Sequence, residues 1–241
     1  MKISDYEYKF DIKDCPYKNV CKNNVSTPCN DISCIRYMEM DFLIYAGGLP
    51  KNKRFPITLI PEEVDLESFR RLKNIKDDIV NFVENGCSLY LYSTNPGNGK
   101  TSWAIKLLLK FFDSIWSGNG FKPRGLFVNV PSFLRAVTEN VTNPSAEFQE
   151  LKSLITSVDL VVWDDIGATK LSDYDHKNLL SFVDQRLLLE KANIYTGNLP
   201  EESLSEAVGK RLASRIYNES SIIELQGVDR RGFNYDWIAI T

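Results

Sequence analysis

An α/β fold, with a parallel sheet wrapped by helices, is the architecture this 241-residue sequence predicts, and three observations predict it. Short apolar runs at Ser88–Ser93, Gly125–Val130, Leu160–Trp163 and Ala192–Thr196 alternate with longer helix-forming stretches, the order that strand–helix–strand crossovers require. The run Leu160-Val161-Val162-Trp163 is apolar at consecutive positions, which suits a strand buried on both faces. The first apolar run leads directly into a glycine-containing turn and then a helix-forming segment, the context in which a parallel sheet meets a phosphate.

In chain order, residues 1–55 read as a cysteine-rich segment with its linker, and residues 56–241 as the α/β domain. The linker is the polar, Gly/Pro-punctuated stretch from Gly47 to Arg54. Glu62 to Glu84 is expected to be helix-rich, because Phe69, Leu72, Ile75, Ile79 and Phe82 recur at intervals of three and four. After the four strands come two further short candidates, Ser221–Leu225 and Trp237–Ile240.

Thr94-Asn95-Pro96-Gly97-Asn98-Gly99-Lys100-Thr101 follows the first strand. Gly97 and Gly99 allow successive backbone N–H groups to curl around a phosphate, Lys100 supplies a point charge, and the Thr101 hydroxyl suits magnesium. Asn95 to Thr101, with Ser102, are therefore candidate contacts for a nucleoside triphosphate. Thr94 stands where G-x-x-x-x-G-K-[ST] wants glycine, so a Gly/Asn-rich turn that merely contains a lysine is the alternative. The Leu160 strand ends in Asp164-Asp165, at the strand end where a doubly wound sheet places its ligands. Read as a Walker B element, Asp164 holds magnesium and Asp165 orients or deprotonates the attacking water; the alternative is a polar strand-to-loop exit. Asn198, after the Ala192 strand, suits a γ-phosphate or water contact, although asparagine before Leu-Pro is also an ordinary turn residue. Arg211 and Arg215 lie four apart on one helical face, followed by Arg230 and Arg231. An arginine fork fits transition-state phosphate charge, and a solvated face paired with Glu206 or Glu219 is the alternative.

A net charge of −3 gives no global electrostatic case for nucleic-acid binding, so any such contact requires a local patch. Met1 to Asp14 lacks an apolar signal core and no stretch approaches the ~20 apolar residues of a membrane span, so a cytoplasmic location is expected, with no membrane partner. Cys15, Cys21, Cys29 and Cys34 crowd the front of the chain among Pro, Asn, Asp and Lys. In a cytosolic protein such a core-poor segment gains from a metal staple, and zinc held by four thiolates is the natural candidate. The C-x5-C-x7-C-x4-C spacing is looser than paired knuckles, and unligated thiols are the alternative. Cys87, just before a strand, reads as a small core residue.

Asn95 to Thr101, Trp163-Asp164-Asp165-Ile166-Gly167, Asp184-Gln185-Arg186, Tyr195-Thr196-Gly197-Asn198-Leu199 and Arg211-Leu212-Ala213-Ser214-Arg215 together resemble the AAA+ helicase-loader family of the DnaC and DnaI type and its phage-encoded relatives, over roughly residues 60–235. The resemblance implies an AAA+ P-loop fold with a reduced or absent lid, ATP and Mg2+ as cofactors, and hydrolysis used as a switch. It carries Gly97, Gly99, Lys100 and Thr101 over as phosphate and magnesium contacts, Asp164 and Asp165 as Walker B and Asn198 as sensor I. Arg215 becomes the finger offered to a neighbouring subunit, with Arg211 second, and Arg230 or Arg231 the sensor II position. The front cysteines are similar to the zinc-binding helicase-contact domain of the DnaI type. The implied partners are a hexameric replicative helicase, single-stranded DNA and further copies of the chain in an ATP-dependent oligomer. By the same resemblance, Pro131 to Ser157 would contact single-stranded DNA, with Phe133 and Phe148 stacking on bases and Arg135, Asn140 and Asn143 near the strand, although Phe133 also fits a core-facing helical spacing. A transposition-type AAA+ regulator and a zinc-containing nucleic-acid-binding protein with a vestigial nucleotide site remain the competing readings.

Overall fold

A computed structural model describes residues 3–9, 15, 17, 21, 33–49 and 59–229. Strands β1 (Ser88–Tyr92), β2 (Gly125–Asn129), β3 (Leu160–Ile166), β4 (Ala192–Gly197) and β5 (Ser220–Glu224) form one sheet in the order β2-β3-β4-β1-β5. Every neighbouring pair is parallel. Side chains alternate across this sheet as the two-residue period demands. Leu160 and Val162 enter one apolar core, together with Leu89, Leu91 and Ile194, while Val161 and Trp163 enter the other with Tyr90 and Tyr195. That division explains why the β3 sequence is continuously apolar.

Helices α1 (Ile35–Ala46), α2 (Leu66–Asp77), α3 (Ile79–Glu84) and α4 (Lys100–Ile115) pack on the first face. The opposite face carries α5 (Val130–Glu139), α6 (Ala146–Ser157), α7 (Asp173–Leu188), α8 (Glu201–Val208) and α9 (Lys210–Asn218). The helix-rich stretch from 62 to 84 is a short 3-10 turn followed by α2 and α3, which break at Asp78, where the backbone leaves the helical region (φ −116°, ψ 32°). Strand β3 runs three residues beyond the apolar run, so both of its carboxylates belong to the strand. The candidate strand Trp237–Ile240 lies outside the described residues.

Helix α1, which the sequence groups with the cysteine segment, is part of the first core. Met40, Leu43 and Ile44 pack there with Phe112 and Leu108 of α4. The following turn covers the outer edge of β2, where Phe127 N donates to Gly47 O at 2.8 Å. Tyr17 is anchored to the same helix pair. Its hydroxyl and Arg36 Nη2 both donate to Asp113 Oδ1, at 2.8 and 2.7 Å, and the guanidinium lies 3.6 Å from the Tyr17 ring centroid. Cys87 corrects its expected place in the core: it is exposed, because it stands in the turn ahead of β1 and the inward-facing residues begin at Ser88.

Just ahead of β3, Asp159 receives Lys191 Nζ at 2.7 Å and Arg124 Nε. Burial pushes its carboxyl up, but these two cations outweigh burial and hold it below the usual value of 3.8. Asp113 is lowered in the same way by Arg36 and Tyr17. A carboxyl that binds its proton less tightly when folded contributes stability that is complete above the unfolded value and is lost as the pH falls through the folded one. The thermal midpoint is therefore expected to hold down to about pH 4 and to fall below it, and Asp159→Asn is expected to shallow that fall. An Asp159→Asn protein with the same acid limb as the parent would contradict this assignment.

Candidate functional site

The parallel register brings three strand ends to one place, because Gly197 of β4 lies opposite both Tyr92 of β1 and Ile166 of β3. The loop after β1 folds on its own side chains. Ser93 Oγ accepts from Asn95 N at 3.0 Å and from Asn98 Nδ2, and Asn98 Nδ2 also donates to Leu225 O at 3.1 Å. Lys100 opens α4 and is buried; its Nζ donates to Asn95 O at 3.0 Å and to Asn98 Oδ1 at 3.2 Å, so the ammonium is turned back into the loop. Gly97 adopts φ +71°, which favours glycine, and a Cβ there would also have to displace the Asp229 carboxylate. Thr94 is outside the left-handed region, which is why a β-branched residue is accommodated where the motif has glycine.

The stretch after β5 straps this loop. Asn95 Nδ2 donates to Gln226 O at 2.9 Å, while Asp65 accepts from Gln226 N at 2.7 Å and Gly227 N at 3.0 Å. Asp65 is itself buried, so its carboxylate is committed to this turn.

Magnesium-type oxygen donors converge behind the loop. Thr101 Oγ1 donates to Asp164 Oδ1 at 2.7 Å, and Thr196 Oγ1 donates to the same oxygen at 2.8 Å. Asp164 is 5% exposed. Asp165 follows at φ +61°, where the β3–β4 register shifts, and its N–H turns to Thr196 Oγ1 at 3.1 Å. A buried carboxylate and a hydroxyl on the first turn of a sixteen-residue helix, beside a lysine, fit a triphosphate with its magnesium. Ser102 is half-buried on the same turn. The sequence reading missed Ser93, Thr196 and Asp65; only the hydroxyl or carboxyl chemistry of these residues hinted at them.

Asn198 is exposed, one residue past the end of β4. Arg211 and Arg215 are both exposed on α9, and Arg215 Nε pairs with Asp184 Oδ1 at 2.8 Å, not with Glu206 or Glu219. Arg186, two residues beyond that aspartate, is fully buried: Nε donates to Asn193 Oδ1, and the two terminal nitrogens donate to the carbonyls of Ile155, Val158, Asp159 and Ala192. Burial depresses its pKa to about 10. Arg230 and Arg231 lie outside the described residues.

The expected DNA patch is partly corrected. Phe133 is 3% exposed and packs among Phe148, Trp163 and Phe182, so it and the buried Phe148 belong to the core and cannot stack on bases. Asn140 ends α5, donating to Ala136 O and accepting from Ser145 N, which commits its side chain to the turn. Arg135 remains exposed, paired with Glu139 at 3.7 Å. Cys15, Cys21 and Cys34 are half-buried, and among the described residues no three metal-ligating side chains come together; Cys29 lies outside those residues. Among the described residues, no helix is long and apolar enough to cross a membrane.

No family model matches the chain. The replicative helicase loader DnaC of Escherichia coli (strain K12) is 24% identical over 130 residues, which is 53% of this chain and 49% of that protein. The chain thus spans about half the length of the curated relatives it matches. The crystal structure of the DnaC helicase loader superposes with a TM-score of 0.58 at 20% identity, covering 69% of this chain and 93% of that one. The crystal structure of DnaI gives 0.57 at 19% identity, covering 73% and 94%. These superpositions show that the parallel five-stranded sheet and its flanking helices form the fold of those two structures. In sequence the chain is similar to the helicase loader DnaC, and in fold to both DnaC and DnaI.

Proposed function

We propose that this chain is an ATP-controlled loader that places a hexameric replicative helicase on single-stranded DNA. The observation that carries the reading is the Thr101–Asp164–Thr196 cluster seated behind a lysine-bearing phosphate loop, in a chain similar to DnaC. Bound magnesium would supply charge neutralisation for the phosphates. The chain's own residues do the rest: the backbone of Gly97 to Lys100 cradles phosphate, and Lys100 exchanges its two loop acceptors for terminal phosphate oxygens. Asp165 orients the attacking water, with Asn198 at the neighbouring strand end as sensor. Arg215, exposed on α9, would leave Asp184 for the nucleotide of an adjacent copy, so that hydrolysis depends on assembly. The front cysteine segment, anchored on α4 through Tyr17, is the helicase grip, and zinc held by Cys15, Cys21, Cys29 and Cys34 would order it.

The test is chromatography with light scattering on the full chain mixed with its host's replicative helicase, with ATP, with ADP and without nucleotide. A complex whose stoichiometry depends on nucleotide is the expected result, with ATP turnover rising at high protein concentration when single-stranded DNA is present. Absence of any complex under all three conditions would contradict the loader role, and absence of turnover would contradict the switch.

A further inference from the structure

We infer that Thr196 is a positioning residue for the nucleotide site: its hydroxyl fixes the Asp164 carboxylate and the backbone turn at Asp165 together, an inference that rests on the nucleotide reading above. Thr196 is 1% exposed and lies next to the last residue of β4, against the point where the β3–β4 register shifts. Its oxygen accepts from Asp165 N at 3.1 Å and its proton goes to Asp164 Oδ1 at 2.8 Å. The two bonds determine each other. With a lone pair taken by the Asp165 N–H, the hydroxyl proton is directed at Asp164, so one small side chain sets the carboxylate's orientation and satisfies a backbone donor at the register shift.

Asp165 needs that support. It sits at φ +61°, a conformation uncommon outside glycine, and such backbone persists only where its surroundings hold it. Turning the chain there re-aims the Asp165 side chain relative to Asp164, which lets adjacent carboxylates serve different tasks. The partner bonds also differ in kind. Thr101, which donates to the same Asp164 oxygen at 2.7 Å, is the hydroxyl expected to turn to magnesium. Thr196 is held by Asp165 as well, so its bond to Asp164 is the one that need not break when the cation arrives. Second partners of this type commonly alter metal affinity by about 10- to 100-fold when removed.

Thr196→Val keeps the shape and removes the hydroxyl, whereas Thr196→Ser keeps the hydroxyl. Affinity for a fluorescent ATP analogue is measured for parent and variants in Mg2+ and in EDTA. The expected result is unchanged affinity in EDTA, a gain on adding Mg2+ that is about tenfold smaller in Thr196→Val, and recovery of that gain in Thr196→Ser. An equal Mg2+ gain in Thr196→Val and the parent would overturn the inference, as would failure of Thr196→Ser to recover it. A ligand-free double-mutant cycle on thermal unfolding, pairing Thr196→Val with Asp164→Asn, is expected to be non-additive; additive shifts would also overturn it. A parent that binds no nucleotide would count against the proposed function, and the cycle would still decide whether Thr196 and Asp164 act together.

Discussion

Lys100→Ala is expected to weaken ATP binding by at least about a hundredfold while leaving the fold in place. The ammonium is buried at the first position of α4 and makes two bonds to the loop, so it is already desolvated and aimed where phosphate would sit. Hydrogen bonds to a charged group are worth roughly 1.5–3 kcal/mol each, and about 1.4 kcal/mol is a factor of ten in affinity. Losing two such contacts to terminal phosphates therefore costs about two decades or more. The residue lies at a loop–helix junction, and its loop acceptors can be reached by water once the side chain is gone, so circular dichroism is expected to be unchanged. Titration with a fluorescent ATP analogue checks the result, and parental affinity in a folded Lys100→Ala protein would show that the loop does not read phosphate.

Arg186→Lys is expected to lower the thermal midpoint by roughly 10 °C. The guanidinium fork gathers carbonyls from the end of α6, the entry to β3 and the start of β4, and also holds Asn193, whose amide oxygen accepts from Trp163 Nε1 at 3.1 Å. Lysine brings three donors on a single nitrogen and cannot reach acceptors spread around a planar fork. Buried carbonyls left without donors cost about 1–3 kcal/mol each, and in a chain of this size ~1 kcal/mol moves the midpoint by about 2–4 °C. Nucleotide affinity measured well below the midpoint is expected to stay at the parental level. A melting curve that superposes on the parent's would mean that the network contributes far less than its geometry implies.

These two lysine and arginine positions also show what is legible in a sequence. Lys100 announces itself because phosphate binding is local: the loop, its glycines and the following helix are contiguous, so spacing along the chain is spacing in space. The central strands are legible for a related reason, since burial on both faces forces a continuous apolar run such as Leu160 to Trp163. The structural role of Arg186 is not legible: Asp184-Gln185-Arg186 contributes to the family resemblance, but the arginine's partners come from three other elements and the local spacing does not separate it from an exposed helical arginine. Phe133 misleads in the opposite direction: helical spacing fits both a core face and a base-stacking surface, and only packing against Trp163 and Phe182 separates them. Thr196 is an ordinary strand former by composition, and its role depends on a register shift that no residue pattern marks. Helix α1 reads with the cysteines because it follows Cys34 directly, yet its apolar residues complete the core beside α4.

The loader account is tested most directly by helicase retained on closed circular single-stranded DNA, where a ring cannot thread onto an end. The helicase, this protein and the circles are mixed with and without ATP, and the bound helicase is measured after gel filtration. The account predicts retention that requires both this protein and ATP and is lost with Lys100→Ala. Retention that is equal without ATP or with Lys100→Ala, or no retention under any condition, would contradict it.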